Sequence, residues 1–232
     1  VTTSQDIHLP NGDIYIKKHM DGVIFAGEVD IRVIEEFRKQ SIPVVLVNNY
    51  LDMDGLVCIS ADHYGGAVQA TEYLCKLGHC KIGLLSGRFS PQVSEARIEG
   101  FVKTLAKYDI PVDDRFIADI EPALEDGEEI MTRMLREVDR PTAFFCTNDT
   151  IAAGAMKAVT RAGLRVPEDI AIIGFDDSYI SRVVEPELTT VRIDAAKMGC
   201  LAMQTLFDLI AGMPVEKAHI QIPTELIVRG TA

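Results

Sequence analysis

The chain has 232 residues, of which 47% are hydrophobic and 25% charged, so it is long enough to bury a core in one domain or in two lobes. Its formal net charge of -12 repels phosphate backbones and argues against a nucleic-acid-binding module within these residues. No apolar run approaches the roughly 18 residues that a bilayer span requires, so we expect no membrane partner.

The cysteine content points to a reducing compartment. The chain has five cysteines, an odd number, with no CxxC pair, and several lie within apolar runs. Cysteine in such runs behaves as a small hydrophobic residue. We therefore expect reduced core thiols in a cytoplasmic protein, with no metal site.

Short apolar runs typical of β-strands alternate with helical patterns along the chain. Strands are predicted over residues 21–26, 43–47, 57–59, 81–85, 115–119, 142–146, 170–173, 220–222 and 225–229. Helices are predicted over residues 28–39, 67–77, 97–107, 127–138, 150–162 and 194–211. The strands are apolar throughout, which indicates parallel sheets covered by helices on both faces.

Two successive series of strands and helices predict an α/β protein with two similar lobes. Residues 1–6 resemble the end of a strand that has no strand and helix before it. We therefore expect a first lobe that lacks its first strand and helix.

Enzyme signatures are mostly absent, since the chain has no GxGxxG, GxxxxGK[ST], GxSxG, HExxH or CxxC motif. The remaining polar residues form four clusters, each where a strand or loop meets a helix. Ligands of open α/β sheets bind beyond the carboxyl ends of the strands, so these clusters are the candidate binding residues.

The first two clusters place charged residues at helix starts. Asp62 precedes an apolar helix, and its side chain is predicted either to cap that helix or to bind a ligand. Arg97 lies at the start of a predicted helix, where a cation opposes the helix dipole. This placement favours a role in holding an anionic or polyhydroxy ligand with the forked guanidinium donors.

The other two clusters directly follow apolar strands. We expect one of Asn148 and Asp149 to cap the next helix and the other to face the ligand crevice. Asp176 and Asp177 could bind Mg²⁺ or accept hydrogen bonds from ligand hydroxyls. A paired acid–base role needs a second carboxylate across the site and a reacting group, and the sequence shows neither.

An ordered series of short motifs covers nearly the whole chain. It comprises Asp62-x3-Gly66, Leu77-Gly78-His79-x-Lys81-Ile82, Arg97-x2-Gly100-Phe101, Pro141-Thr-Ala-Phe-Phe, Asn148-Asp149-x2-Ala152, Val166-Pro167-x-Asp169-Ile170, Gly174-Phe-Asp-Asp177, Pro186-x-Leu188-Thr-Thr-Val191 and Glu225-Leu-Ile-Val-Arg229-Gly. No single motif is decisive, but the ordered set resembles the lactose/galactose-repressor (LacI/GalR) family of bacterial transcription regulators.

The resemblance implies the effector-sensing core of such a regulator, with the fold of type I periplasmic sugar-binding proteins. Two Rossmann-like lobes, with parallel sheets flanked by helices, would be joined by three crossovers. The first lobe would comprise residues 1–87 and 192–219, and the second residues 88–191 and 220–232. The helix-turn-helix headpiece, through which family members bind operator DNA, would be absent here.

Carried over position by position, the family's effector contacts fall on Asp62, Arg97, Asn148 and Asp176. The predicted role of Asp177 is then to hold either its own loop or the segment around Val184 in place.

Position 120 departs from the family pattern. Ile120 stands where some members place an aromatic ring, and the loss of a stacking ring bears on which sugar can bind. Substitute ring faces could come from Tyr64, Phe89 or Tyr179.

The family dimerises side by side, and the resemblance places this homodimer contact on Ala153, Met156 and Val184. Apolar residues cover more than one stripe of the helix predicted over residues 150–162. Such a helix is buried on both sides, which agrees with a partner surface.

The resemblance therefore implies allosteric regulation without catalysis and without a cofactor. A small metabolite, a sugar or sugar derivative, would bind between the lobes and change the affinity of the headpieces for operator DNA. One alternative is a periplasmic sugar-binding receptor of a transport system, against which the odd cysteine count argues. A second is an α/β enzyme that uses Asp176 and Asp177 with Mg²⁺, against which the missing nucleophile and phosphate-loop signatures argue.

Overall fold

The computed structural model describes residues 20–49, 51, 53, 55–215 and 218–232. The strand end predicted for residues 1–6 lies outside these ranges. Among the described residues, ten strands and six α-helices alternate much as predicted. The strands are β1 (Val23–Ala26), β2 (Val44–Val47), β3 (Val57–Ala61), β4 (Ile82–Gly87), β5 (Ile117–Ile120), β6 (Ala143–Cys146), β7 (Ala171–Asp176), β8 (Thr189–Arg192), β9 (His219–Ile222) and β10 (Glu225–Ile227). The helices are α1 (Ile31–Lys39), α2 (His63–Lys76), α3 (Pro91–Lys107), α4 (Leu124–Met134), α5 (Asp149–Arg161) and α6 (Ala195–Ile210).

The chain divides into two compact units, each built on its own sheet. Unit 1 contains the described part of Val1–Ala61 together with Asp194–Ile222. Unit 2 contains Asp62–Ile193 and Pro223–Ala232.

The predicted first lobe runs to residue 87, and here the structure differs. Residues 62–87 belong to unit 2, because β4 pairs with β5 and β6 while α2 packs on α3. The first passage of the chain between the units therefore follows Ala61. The other two passages follow Ile193 and Ile222, so the strand over residues 220–222, which was predicted in the second lobe, belongs to unit 1.

In unit 1, the described strands form a parallel sheet in the order β1-β2-β3-β9. The apolar stripe of α1 (Val33, Ile34 and Phe37) packs against strand residues such as Leu46. The neighbouring strand residue Val45 is also fully buried, as expected for a sheet covered on both faces. α6 packs on β1, β2 and β3.

In unit 2, the described strands form a sheet in the order β10-β8-β7-β6-β4-β5, in which only β10 runs antiparallel to its neighbour. Successive residues of β6 point to opposite faces: Phe145 joins a core cluster with α2 and α3, while Phe144 joins one with α4 and α5. The sheet is thus buried on both sides, as the uninterrupted apolar strands predicted.

The backbones of α4 and α5 approach each other at two glycines. A Cβ atom on Gly154 would lie 2.1 Å from the carbonyl oxygen of Leu124, and one on Gly127 would lie 2.5 Å from that of Ile151. α5 is therefore covered by the sheet on one side and by α4 on another.

This packing removes one argument for the dimer surface. Ala153 and Met156 are each 5% exposed within the single chain, and Val184 packs against the same core cluster. The apolar circumference of α5 thus has an explanation without a partner, since α4 supplies the second cover. The dimer contact at Ala153, Met156 and Val184 stays a prediction.

Candidate ligand-binding site

The candidate residues of unit 2 gather where parallel strands end. β4, β5, β6 and β7 are parallel, so their carboxyl ends lie along one edge of the sheet. Ile120 and Asp176 are the last residues of their strands, and Asn148 follows β6 closely. This edge is the usual ligand-binding position in open α/β sheets.

Arg97 lies at the centre of this edge. It is 3% exposed, and its Nη2 donates to Oδ1 of Asp176 at 3.2 Å. Its Nη1 donates to the backbone oxygen of Thr147, and its Nε and Nη2 lie 3.4 and 3.2 Å from Nδ1 of His63. The guanidinium therefore joins α3 to α2 and to the ends of β6 and β7. α3 begins at Pro91, so Arg97 lies in its second turn and not at the helix start where it was predicted, and the expected opposition to the helix dipole does not apply.

Two phenylalanine rings cover the guanidinium of Arg97. Its Cζ lies 3.9 Å from the ring centroid of Phe175 and 4.9 Å from that of Phe89. These are favourable cation–π contacts. The sequence offered Phe89 as a substitute ring, but it missed Phe175, because a phenylalanine inside an apolar strand is indistinguishable from any core residue.

His63 is a buried site residue that the sequence did not assign. Burial, together with the charge of Arg97, lowers the pKa of His63 to about 3. The ring is therefore neutral, and because its Nδ1 accepts from Arg97, the proton is assigned to Nε2. The signal available in the sequence was its place beside Asp62.

Asp62 and Tyr64 lie at the start of α2. The Oδ1 of Asp62 accepts a hydrogen bond from the backbone N–H of Gly65 at 2.8 Å, which confirms the predicted capping role. Tyr64 is 38% exposed, and Nζ of Lys103 lies 5.8 Å from its ring. Ligand contacts of Asp62 and Tyr64 stay predictions.

Of the neighbouring pair after β6, Asn148 is the cap. Its Oδ1 accepts from the backbone N–H of Ile151 at 2.8 Å. The expectation that the other residue faces the crevice is wrong, because Asp149 is 1% exposed and accepts from the backbone N–H of Ser178. A ligand contact by Asn148 stays a prediction.

The two aspartates after β7 have different surroundings. Asp176 is half-buried, and burial raises its pKa while Arg97 opposes the rise. The side chain of Asp177 is 2% exposed and accepts from Arg229 at 2.5 Å and from Arg192 at 2.7 Å. Burial alone would raise the pKa of Asp177, but the hydrogen bonds from the arginines lower it to about 2.

The predicted loop-holding role of Asp177 is confirmed. Its Oδ1 accepts from the hydroxyl of Ser181 at 3.2 Å, and its Oδ2 accepts from Arg182 at 3.5 Å. Both donors belong to the short 3-10 helix Tyr179–Arg182, so this carboxylate ties that helix to the strand end.

Ile120 takes part in structural contacts. Its backbone oxygen accepts from the N–H of Arg88 at 2.8 Å, and its side chain packs against the core cluster shared with α4 and α5. Its assignment as a ligand contact stays a prediction.

Within the described ranges, no group of three or more histidine, cysteine, aspartate or glutamate side chains could hold a metal ion. In the same part of the chain, no helix is long and apolar enough to cross a membrane. All five cysteines are described, and each is a free thiol.

The fold and the gathered polar residues define an α/β ligand-binding core of the periplasmic type, and residues 71–232 match the family described as a periplasmic binding protein-like domain. The probable HTH-type transcriptional repressor ExuR of Bacillus subtilis is 34% identical over 223 residues, covering 95% of this chain and 67% of that protein. The chain belongs to the LacI family of transcription regulators. It spans about two thirds of the length of the curated relatives it matches.

Solved structures agree with this assignment. A LacI-family transcriptional regulator of Enterococcus faecium with bound ribose superposes with a TM-score of 0.83 at 28% identity, over 91% of this chain and 79% of that chain. The transcriptional regulator CelR in complex with cellobiose gives a TM-score of 0.84 at 25% identity, over 93% of this chain and 67% of that chain. These relatives are regulators, which leaves the transport receptor with less support.

Proposed function

We propose that this chain is the effector-binding core of a bacterial transcription regulator and that it binds a neutral sugar or sugar derivative. The observation that carries the proposal is the Arg97–Asp176 pair, held at the edge where the five parallel strands of unit 2 end. Two structural relatives hold the sugars ribose and cellobiose, which fits this class of ligand.

The charges favour a neutral ligand over an anionic one. The positive charge of Arg97 is matched by Asp176, and the neutral ring of His63 adds none. Sugar hydroxyls both donate and accept, so they suit an amide such as that of Asn148 and carboxylates such as that of Asp62. The side chain of Asp176 is 37% exposed, which leaves it accessible to a ligand.

The curated relatives are longer than this chain, and the activity of the whole protein is proposed from them. We propose that it is a cytoplasmic homodimer whose helix-turn-helix headpiece binds operator DNA. The ligand would alter that affinity through its different affinities for two conformations of the core. The repressor names of the curated relatives support this part of the proposal.

Isothermal titration calorimetry with ribose, cellobiose and a panel of further sugars tests the ligand class. Because charge-assisted hydrogen bonds contribute about 1.5 to 3 kcal/mol, Asp176→Ala and Arg97→Ala should weaken binding by about 10- to 100-fold or more. Circular dichroism checks that both variants stay folded. Arg115→Ala, which breaks an exposed pair with Asp113, is the matched control and should bind as the wild type does. Undiminished binding by both site variants would refute the assignment.

A further inference from the structure

Asp149 is a buried carboxylate with no role in the ligand contacts proposed above. Its Oδ2 accepts from the backbone N–H of Ser178 at 2.6 Å, and its Oδ1 accepts from the hydroxyl of Thr190 at 2.5 Å. A Cβ atom on Gly174 would lie 2.4 Å from Oδ1 of Asp149. A larger residue at position 174 would therefore collide with this carboxylate where it now lies. Asp149 thus joins the start of α5 to β8 and to the loop after β7.

The loop it holds has an unusual backbone. Asp176 and Asp177 have φ angles of 105° and 50°, in the region that favours glycine. Residues without glycine's freedom keep such angles only where the surroundings hold them. Ser178 follows them directly, and the N–H of Asp177 lies 3.4 Å from the same Thr190 hydroxyl that donates to Asp149. The carboxylate therefore supports the conformation that presents Asp176 to Arg97.

The groups that face Asp149 add little positive charge. Asp176 contributes a negative charge from β7, and the buried thiol of Cys146 faces it from β6. Burial raises the pKa of Asp149 to about 6, and the hydrogen bonds from Thr190 and Ser178 limit that rise. Asp149 is therefore expected to gain or lose its proton at mildly acidic pH.

We propose that Asp149 is a positioning residue whose charged form holds Asp176 in its ligand-binding geometry, so that protonation of Asp149 weakens ligand binding. A protonated carboxyl gives up the charge-assisted bond to the Ser178 N–H, which loosens the loop at its strained residues. The binding part of this inference rests on the proposed function, whereas the loop-holding part stands without it.

The loop-holding part is tested without any ligand by ¹H–¹⁵N NMR. In the wild-type protein, the amide signal of Ser178 should shift with a midpoint near pH 6. The shift should vanish in Asp149→Asn and persist in the control Asp114→Asn, which changes an exposed aspartate. Thr190→Val, which removes one hydrogen bond to the carboxylate, should move the midpoint to higher pH. A Ser178 signal that does not titrate, or an unmoved midpoint in Thr190→Val, would overturn this part.

The binding part is tested by calorimetry with ribose and cellobiose at pH 7.5 and pH 5.0. If only the charged form binds, a pKa near 6 lowers the affinity about tenfold between these pH values. Asp149→Asn should bind more weakly and show no such fall. An equal fall in Asp149→Asn would overturn the proposal and assign the pH dependence to another group, such as Asp176. If neither sugar binds at either pH, ribose and cellobiose are excluded as ligands, and the Ser178 titration still decides the role of Asp149.

Discussion

Replacement of Gly154 by alanine tests the contact between α4 and α5. In an isolated helix, this change would stabilise by about 1 kcal/mol, because glycine is the weaker helix former. In this chain the new Cβ would lie 2.1 Å from the oxygen of Leu124 and 2.8 Å from the nitrogen of Glu128. Both are backbone atoms of α4, so the helix as a whole has to shift.

The expected net effect is a loss of stability. Overpacking of a well-packed core costs typically about 1 to 3 kcal/mol, and a clash with backbone atoms belongs at the upper end. After subtraction of the helix-propensity gain, we expect Gly154→Ala to lower the free energy of unfolding by about 1 to 2 kcal/mol. A shift of α4 would also disturb its second close approach to α5, at Gly127.

The assay is urea unfolding followed by circular dichroism, combined with hydrogen exchange of the helix amides. Exchange should accelerate in α4 and α5. The matched control is Gly199→Ala, because Gly199 is an exposed residue of α6 where an added Cβ would meet no atom within 4 Å. That variant should be more stable than the wild type, by up to about 1 kcal/mol. A Gly154→Ala protein as stable as the wild type would refute the close helix contact.

Three further predictions concern single side chains. Asp177→Asn should lower the free energy of unfolding by about 1 to 2 kcal/mol at pH 7, because the lowered pKa of Asp177 stabilises the folded state above about pH 4. In urea unfolding, this loss should become smaller as the pH falls towards 2. A loss that does not depend on pH would contradict the ion-pair explanation. Asn148→Ala should cost about 1 kcal/mol in the same measurement while Asn148→Asp keeps the cap, and equal losses would exclude the capping role. With a pKa of about 3, His63 should stay neutral from pH 5 to pH 8, so ring-proton NMR shifts as large as those of a protonating imidazole in that range would show that its ring is not buried as described.

The sequence predicted the class of fold well because that class depends on local pattern. Uninterrupted apolar strands such as β6 indicate a sheet covered on both faces, whatever the neighbouring elements are. The lobe boundary was harder, because the apolar stripe of α2 is compatible with packing on either sheet. The element that packs on the second apolar face of α5 was hard to predict for the same reason. An apolar pattern shows that a helix face is buried but does not show which element buries it.

The site was predictable in part. Arg97 was singled out because the sequence predicted it at a helix start, where a cation opposes the dipole. That reason is wrong, because α3 begins at Pro91, but the structure does place Asp176 3.2 Å from the guanidinium. The contacts of Phe175 and His63 with Arg97 arise from tertiary packing, which the spacing of residues in the sequence does not predict. The roles of Asn148 and Asp149 could not be assigned from their order, because either side chain can cap a helix.

The interleaving of the two units has a consequence for folding during synthesis. β10 completes the sheet of unit 2 by pairing with β8, but the residues between these strands include Asp194–Ile222 of unit 1. Because a ribosome releases the chain in order, unit 2 cannot finish its sheet until that part of unit 1 has been made. The entropic cost of bringing β10 to β8 grows only slowly with the length of the chain between them. The arrangement therefore delays the folding of unit 2 more than it destabilises the folded state. We expect nascent chains arrested before β10 to hold unit 2 in an unfinished, protease-sensitive form.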